Sequence, residues 1–268
     1  MTLLEKYPLK THEVLHFPLI FPDSLKAYHG PSLKYPSLDV LYDFAEACRV
    51  SKGAVRTALS RMKKEGLIIV QEERGVSRYR SGNLQMEAMM NFQKRSHRTK
   101  GYTLAVYSFD GEMSKQRNVA RELLEYMGFV RFAQNSWMAF EVKTGELSKS
   151  LRANGLDEYV YLFDVHTIDD TTMKRIVSFW NLDERAARLQ NFYEELKVLL
   201  HEPGSDRDAF VRLGIAWVTF IIHIHGTEPP VPENLLPGGY RYNDIVALLK
   251  KMSMRYGPRM YRYWKNAN

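Results

Sequence analysis

Cysteine is almost missing from this sequence. Cys48 is the only one, which excludes an internal disulfide and a cysteine-based zinc site and fits a reducing compartment. Long apolar runs are missing too: the longest, 215-IAWVTFIIHIH-225, falls short of the roughly 20 residues a bilayer demands and reads as a buried helix. The segment MTLLEKYPLKTHEV places Glu5, Pro8 and Glu13 where a secretory leader would need an unbroken apolar core. There is no phosphate-cradling glycine loop, no nucleophile elbow and no internal repeat. These absences predict a cytoplasmic protein with no membrane attachment, no cofactor and no metal.

Hydrophobic residues make up 45% of the chain and charged ones 26%, the balance of an ordinary globular protein rather than a disordered one. Its 268 residues leave room for one large domain or two to three smaller ones. The net charge of +7 favours an acidic partner, and its distribution says more than its total. Residues 51–80 carry eight Lys or Arg against Glu65, Glu72 and Glu73. The stretch 94-KRSHRTK-100 and the tail 250-KKMSMRYGPRMYRYWK-265 are basic with no acid, whereas 157–195 is rich in acids.

Along the chain, 1–36 is rich in proline and aromatics, and Pro18 and Pro22 predict short, broken helical turns. In 37-SLDVLYDFAEAC-48, Ser37 suits an N-cap, and Leu38, Leu41, Tyr42 and Ala45 recur at helical spacing. Ser51 caps a second helix from Lys52 to about Glu65 that Gly66 ends. Two strands, 67–70 and 77–80, follow around the turn EERG. Helix, short turn, helix and hairpin is the order of a winged helix-turn-helix.

On the second helix Val55, Ala58, Leu59 and Met62 share one face. Lys52, Gly53, Arg56, Thr57, Ser60 and Lys63 share the other. A capped N-terminus beside Lys52 suits an approaching phosphate or base edge. Arg56 and Thr57, one turn on, would reach a major-groove floor. Arg74 and Arg78 fall on the expected wing, placed for backbone or minor-groove contact. The predicted DNA-binding set is therefore Ser51, Lys52, Gly53, Arg56, Thr57, Ser60, Arg61, Lys63, Arg74 and Arg78. Arg61 lies on the helix flank, where it is expected to brace the wing or touch backbone rather than read bases.

A helical segment, 84–95, leads through the basic linker into residues 101–168, which read as strand, helix, two strands, helix, strand. That is the βαββαβ order of a ferredoxin-like sandwich. Residues beyond 170 read as helices at 171–180, 183–201, 206–225 and 242–256. The predicted class is α+β in four parts: a winged helix-turn-helix domain over 1–83, a helical basic linker over 84–100, a ferredoxin-like domain over 101–168 and a C-terminal helical domain over 169–268.

The segment AVRTALSRMKKEGLI closely resembles the signature of the phenylacetate-degradation repressor family, the PaaX-like transcriptional regulators, with Arg56, Ala58, Leu59, Ser60, Arg61 and Gly66 in matching positions. RGVSRYR resembles that family's wing hairpin, with Ser77 and Tyr79 in register but one extra residue after Arg74. MGFVRFAQNSWMAF, IVSFWNLDERAARLQNFYEEL and EPPVPENLLPGGY are similar to further family segments, the last with Glu228 where the family has Asp and Val231 where it has Leu. The resemblance covers most of 38–250 and leaves out the first 36 residues and the basic aromatic tail. It implies a repressor of an aromatic-compound catabolic operon, released from double-stranded operator DNA by an acyl-CoA effector such as phenylacetyl-CoA. A homodimer on an inverted repeat is expected. The residues do not single out an effector pocket; Arg175, Arg185 and Arg212 are basic candidates in the central and C-terminal regions.

Ferredoxin-like domains in this family also resemble small CRISPR-associated endonucleases, which use an Asp after the first strand. Asp110 sits near that position, so a metal-dependent nuclease is the alternative reading, as is a regulator with no small-molecule effector. A lone carboxylate before Gly111 reads better as a turn, and no enzymatic activity is expected. His223 and His225 are two apart on a helix, about 200° around it, which does not suit joint metal ligation. The tail's Tyr256, Tyr261, Tyr263 and Trp264 among cations suit either stacking on nucleic acid or packing on the fold.

Overall fold

The computed structural model describes residues 3–29, 33–82, 101–140, 143–201, 204–225, 228, 231 and 233–268, with the side chains of 23–29 and Tyr126 excepted. The expected helix at 84–95 and the basic stretch 94–100 lie outside the described residues. The chain is a mixed α+β structure with one two-stranded and one four-stranded sheet. It divides into two compact units, one of residues 1–93, 189–227 and 241–268, the other of residues 94–188 and 228–240.

The first unit opens with α1 (Leu3–Lys6) and α2 (Thr11–His29). It continues with α3 (Leu38–Ala47), α4 (Lys52–Lys64) and the hairpin β1 (Ile68–Glu73) and β2 (Val76–Ser81). The local reasons are in the sequence. The Ser51 hydroxyl accepts from the Ala54 amide at 3.2 Å, and Ser37 takes the Val40 amide at 3.5 Å, each satisfying a first-turn donor. Gly66 leaves α4 at φ +72°, a conformation glycine adopts without a Cβ clash. The hairpin turns at Arg74 and Gly75, both with positive φ, the geometry that matches the strand twist in a two-residue loop.

Proline does not break α2. Pro18 and Pro22 both lie inside one 19-residue helix, so the expected broken turns are replaced by a continuous element. Each ring removes one ladder hydrogen bond, and tertiary packing offsets that loss. Val14, Leu15, Phe17, Leu19 and Phe21 are all buried. Phe17 and Phe21 join Phe44 of α3 and Phe210, with ring centroids between 5.1 and 5.6 Å apart.

Phe210 belongs to α9 (Asp206–Thr219), capped by a reciprocal box between Ser205 and Asp208 and continued by a π-helical turn, Phe220–His225. Among the described residues, Asp206–His225 is the one helical stretch long and apolar enough to cross a membrane, and 67% of its most apolar window is buried within the fold. The last helix, α10 (Tyr242–Ala267), runs past the expected end at 256, through Pro258. Its Tyr256, Met260 and Trp264 are buried, and Trp264 lies 5.0 Å from Phe21 and 5.5 Å from Phe210. The N-terminal segment and the later helices therefore share one aromatic core, where separate N- and C-terminal domains were expected.

The second unit contains β3 (Tyr102–Tyr107), α5 (Ser114–Tyr126), β4 (Val130–Ala133), β5 (Ser136–Ala139), α6 (Thr144–Ala153) and β6 (Val160–Val165). The sheet order is β4-β5-β3-β6 with every neighbouring pair antiparallel. Period-2 alternation sorts its residues. Ala105, Tyr107, Trp137 and Val160 pack with Ala120 and Leu124 of α5 and with Leu147 and Leu151 of α6. Tyr102, Leu104, Met138 and Phe140 join Met173 and Ile176 of α7 (Asp170–Ser178) and Val231, Leu235 and Tyr240 of the proline-rich loop. The remaining helix, α8 (Leu182–Leu199), contains the boundary between the units.

The Glu228 carboxylate holds that loop. Its side chain is 1% exposed, and it accepts from Arg188 and from the Tyr240 hydroxyl, with Arg185 at 3.5 Å. A buried carboxylate needs such partners. Burial, followed by the hydrogen bond to Glu228, raises the Tyr240 hydroxyl well above its ordinary range.

Candidate nucleic-acid interface

The apolar side of α4 is fully used by the fold: Val55, Ala58, Leu59 and Met62 are buried. Apart from the half-buried Ala54, the rest of the helix faces outward. Ser51, Lys52, Gly53, Arg56, Thr57, Ser60, Arg61, Lys63 and Lys64 are exposed. Lys52 to Lys64 contains no acid, so the exposed face is a band of cations interrupted only by small and hydroxylated side chains. A Cβ at Gly53 would meet only the Ser51 hydroxyl at 4.0 Å, so internal packing does not require glycine there. A helix-interior glycine costs about 0.5–1 kcal/mol relative to alanine, and what it provides at this position is a flat, bare approach to the helix.

The cations on this face are held to different degrees. The Tyr42 ring of α3 lies beneath the first two turns of α4, with Lys52 Nζ 5.5 Å and the Arg56 guanidinium carbon 5.8 Å from its centroid. Arg56 Nε donates to the Tyr42 hydroxyl at 2.6 Å. The Thr57 hydroxyl donates to the Gly53 carbonyl at 3.1 Å. Lys63 and Arg74 are exposed, Arg74 at the tip of the hairpin.

One expectation narrows and another changes. Arg61 does not brace the hairpin: its Nη2 lies 3.4 Å from His12 Nδ1 of α2, and its Nε 3.8 Å from Glu65. The helical α2, packed beside α4, reaches this flank first. Arg78 is not available to a ligand at all, being 6% exposed. Its Nη1 donates to the Tyr35 carbonyl and to the Asn268 side-chain oxygen at 2.8 Å, and its Nη2 to the Asn268 carbonyl at 2.6 Å. An isolated bridge pairs Ser37 with Arg78, so the strand segment before α3 covers that side of β2.

The tail's aromatics pack rather than extend. Besides the buried Tyr256 and Trp264, the Tyr263 hydroxyl donates to Asp43 at 2.5 Å, and Arg259 and Arg262 pair with Asp206. Burial tends to raise the Asp43 carboxyl, but hydrogen bonds from Arg207 and Tyr263 outweigh it and hold the group below its ordinary range. The two histidines turn to different partners, His223 to the Pro8 carbonyl at 3.0 Å and His225 to the Tyr242 hydroxyl at 2.5 Å. Cys48 is deeply enough buried that its thiol is pushed up to about 12, which suits packing rather than nucleophilic chemistry.

Asp110 sits in the turn before α5, its carbonyl accepting from the Met113 amide and from Arg117. Among the described residues, no group of three or more His, Cys, Asp or Glu is placed to hold a metal ion. The basic candidates for an effector site have separate surroundings. Arg185 is taken up by Glu228 and the Trp180 carbonyl, Arg212 donates to the His201 carbonyl, and Arg175 is exposed. Arg175 and Arg185 belong to one compact unit and Arg212 to the other.

No family model matches the chain, and no curated protein does. Among solved structures, the uncharacterized protein Rv0674 from Mycobacterium tuberculosis is similar, with a TM-score of 0.56 at 15% identity over 93% of this chain and 97% of that one. At that identity the likeness concerns the fold alone.

Proposed function

We propose that this chain is a DNA-binding transcriptional regulator, with α3, α4 and the β1–β2 hairpin acting as a winged helix-turn-helix and α4 entering the major groove. The observation that carries the reading is the segregation on α4: Val55, Ala58, Leu59 and Met62 are spent on the core, while an acid-free cationic face stays exposed around a bare Gly53. Cations along one helix face neutralise phosphates and release counterions, and a capped helix N-terminus favours anions further. The antiparallel order β4-β5-β3-β6 supports reading the second unit as a ferredoxin-like domain.

The resemblance to phenylacetate-degradation repressors supports the finer reading: repression of an aromatic-compound catabolic operon, relieved by an acyl-CoA thioester such as phenylacetyl-CoA. A single module spans few base pairs, so the working form is a homodimer on an inverted repeat.

The test is selection of bound duplexes from a randomised pool, followed by gel shifts over a salt series and with a panel of acyl-CoA thioesters. The reading expects an enriched palindromic site, an affinity that falls by about 0.9 log units per log unit of salt for each phosphate contacted, and release by one thioester. No enrichment and no salt-dependent binding would remove it. Mg²⁺-dependent cutting of the duplex would replace it with the nuclease reading.

A further inference from the structure

Tyr42 has no place in the sequence-derived DNA-binding set; it was assigned to the apolar stripe of α3. The structure gives it a second connection. The residue is 8% exposed, so its ring is fixed by the core, yet its hydroxyl reaches the outward-facing Arg56 at 2.6 Å. The same ring lies under Lys52, one turn earlier on α4. A long, rotamer-rich arginine on an exposed helix face is thereby tied down at its Nε. Its two terminal nitrogens, Nη1 and Nη2, take no hydrogen-bond partner among the described residues.

That arrangement has a chemical consequence. A guanidinium can present a bidentate edge either through Nε and one Nη or through both Nη atoms. With Nε committed to Tyr42, only the end-on pair remains. Two parallel N–H donors match the O6 and N7 acceptors of guanine on its major-groove edge, the pattern that distinguishes G·C from the other base pairs. Fixing the side chain beforehand also removes rotamer entropy that binding would otherwise have to overcome.

We propose that Tyr42 is a positioning residue that sets Arg56 for end-on recognition of one guanine in each half-site. The proposal rests on the DNA-binding reading above. Tyr42 touches no base; it acts through Arg56. Tyr42→Phe keeps the buried ring and the cation–ring contacts and removes only the hydroxyl.

The experiment uses the full chain and the duplex selected from the randomised pool, with a shuffled duplex of equal length as the non-specific competitor. Wild type should prefer the selected duplex, and should lose most of that preference when the guanine facing Arg56 is replaced by 7-deazaguanine, which lacks the N7 acceptor. Y42F should reduce the preference about tenfold, within the range of one bidentate base contact. Its affinity for the shuffled duplex and its salt slope should match wild type. In an R56A background, Y42F should have no further effect on preference, because the two residues act as one unit.

Undiminished preference in Y42F, or equal loss on both duplexes together with a lowered thermal midpoint, would overturn the positioning role and leave the DNA-binding reading intact. Failure of wild type to select any duplex would overturn both.

Discussion

Arg78 and Gly53 illustrate how residues of similar sequence promise end in opposite roles. Arg78 lies in a basic hairpin, yet its guanidinium is enclosed and spends its donors on Tyr35 and Asn268. Replacing it with alanine strands buried acceptors, each worth about 1–3 kcal/mol when left unpaired. Arg78→Ala should therefore lower the denaturation midpoint while leaving the salt slope of DNA binding unchanged, measured on the variant below its midpoint. Gly53 is the reverse case. Gly53→Ala should stabilise the protein by about 0.5–1 kcal/mol and still weaken duplex binding, since the added methyl stands where a phosphate backbone would approach. Stabilisation without loss of binding would show that nothing approaches α4 at that point.

Among the elements, α3, α4 and the hairpin were legible because their signals are local. Caps at Ser37 and Ser51, the positive-φ glycine at 66 and alternating strand residues each act within a few positions. The helix α2 was not legible, because its two prolines argue locally for a break and the opposing force comes from Phe44 and Phe210, distant in sequence. The direction of Arg78 was hidden for a related reason: strand alternation gives two faces but not what covers each one. Helical spacing marks Tyr42 as core, as its burial bears out, but says nothing of where its hydroxyl ends. Gly214 of α9 lies tight against that core: a Cβ there would stand 2.5 Å from both the Phe17 and Phe44 rings. Gly214→Ala should cost about 1–3 kcal/mol through overpacking, against the stabilisation that alanine gives in an open helix. Urea denaturation of the variant checks the sign.

For the whole molecule, the ion pairs joining early and late segments predict an acid limb to its stability. Asp43 binds Arg207 at 2.8 Å and Tyr263 at 2.5 Å, and its carboxyl is held below the ordinary value despite the opposing effect of burial. The unfolded chain thus takes up the proton first, near pH 3.9. The stabilisation is complete above that value and fades as pH falls through the lower folded value. Urea midpoints of wild type and Asp43→Asn should differ at pH 7 and converge as the pH drops below about 4. A second expectation concerns isolation of the N-terminal segment. Residues 1–93 alone would expose Phe17, Phe21 and Phe44, whose partners Phe210 and Trp264 are supplied later in the chain. That fragment should aggregate or bind hydrophobic dyes; a monodisperse, folded fragment would refute this.

The shared aromatic core also bears on how the protein is made. A ribosome releases the chain from its N-terminus at about 5–20 residues per second, so α2, α3 and α4 emerge long before their packing partners exist. The Trp264 indole that donates to the Lys34 carbonyl lies 230 residues downstream of it. The second unit, by contrast, can close most of its sheet as soon as β6 has been translated. Helices α2 and α3, among the first to be synthesised, are thus among the last to have their phenylalanines covered.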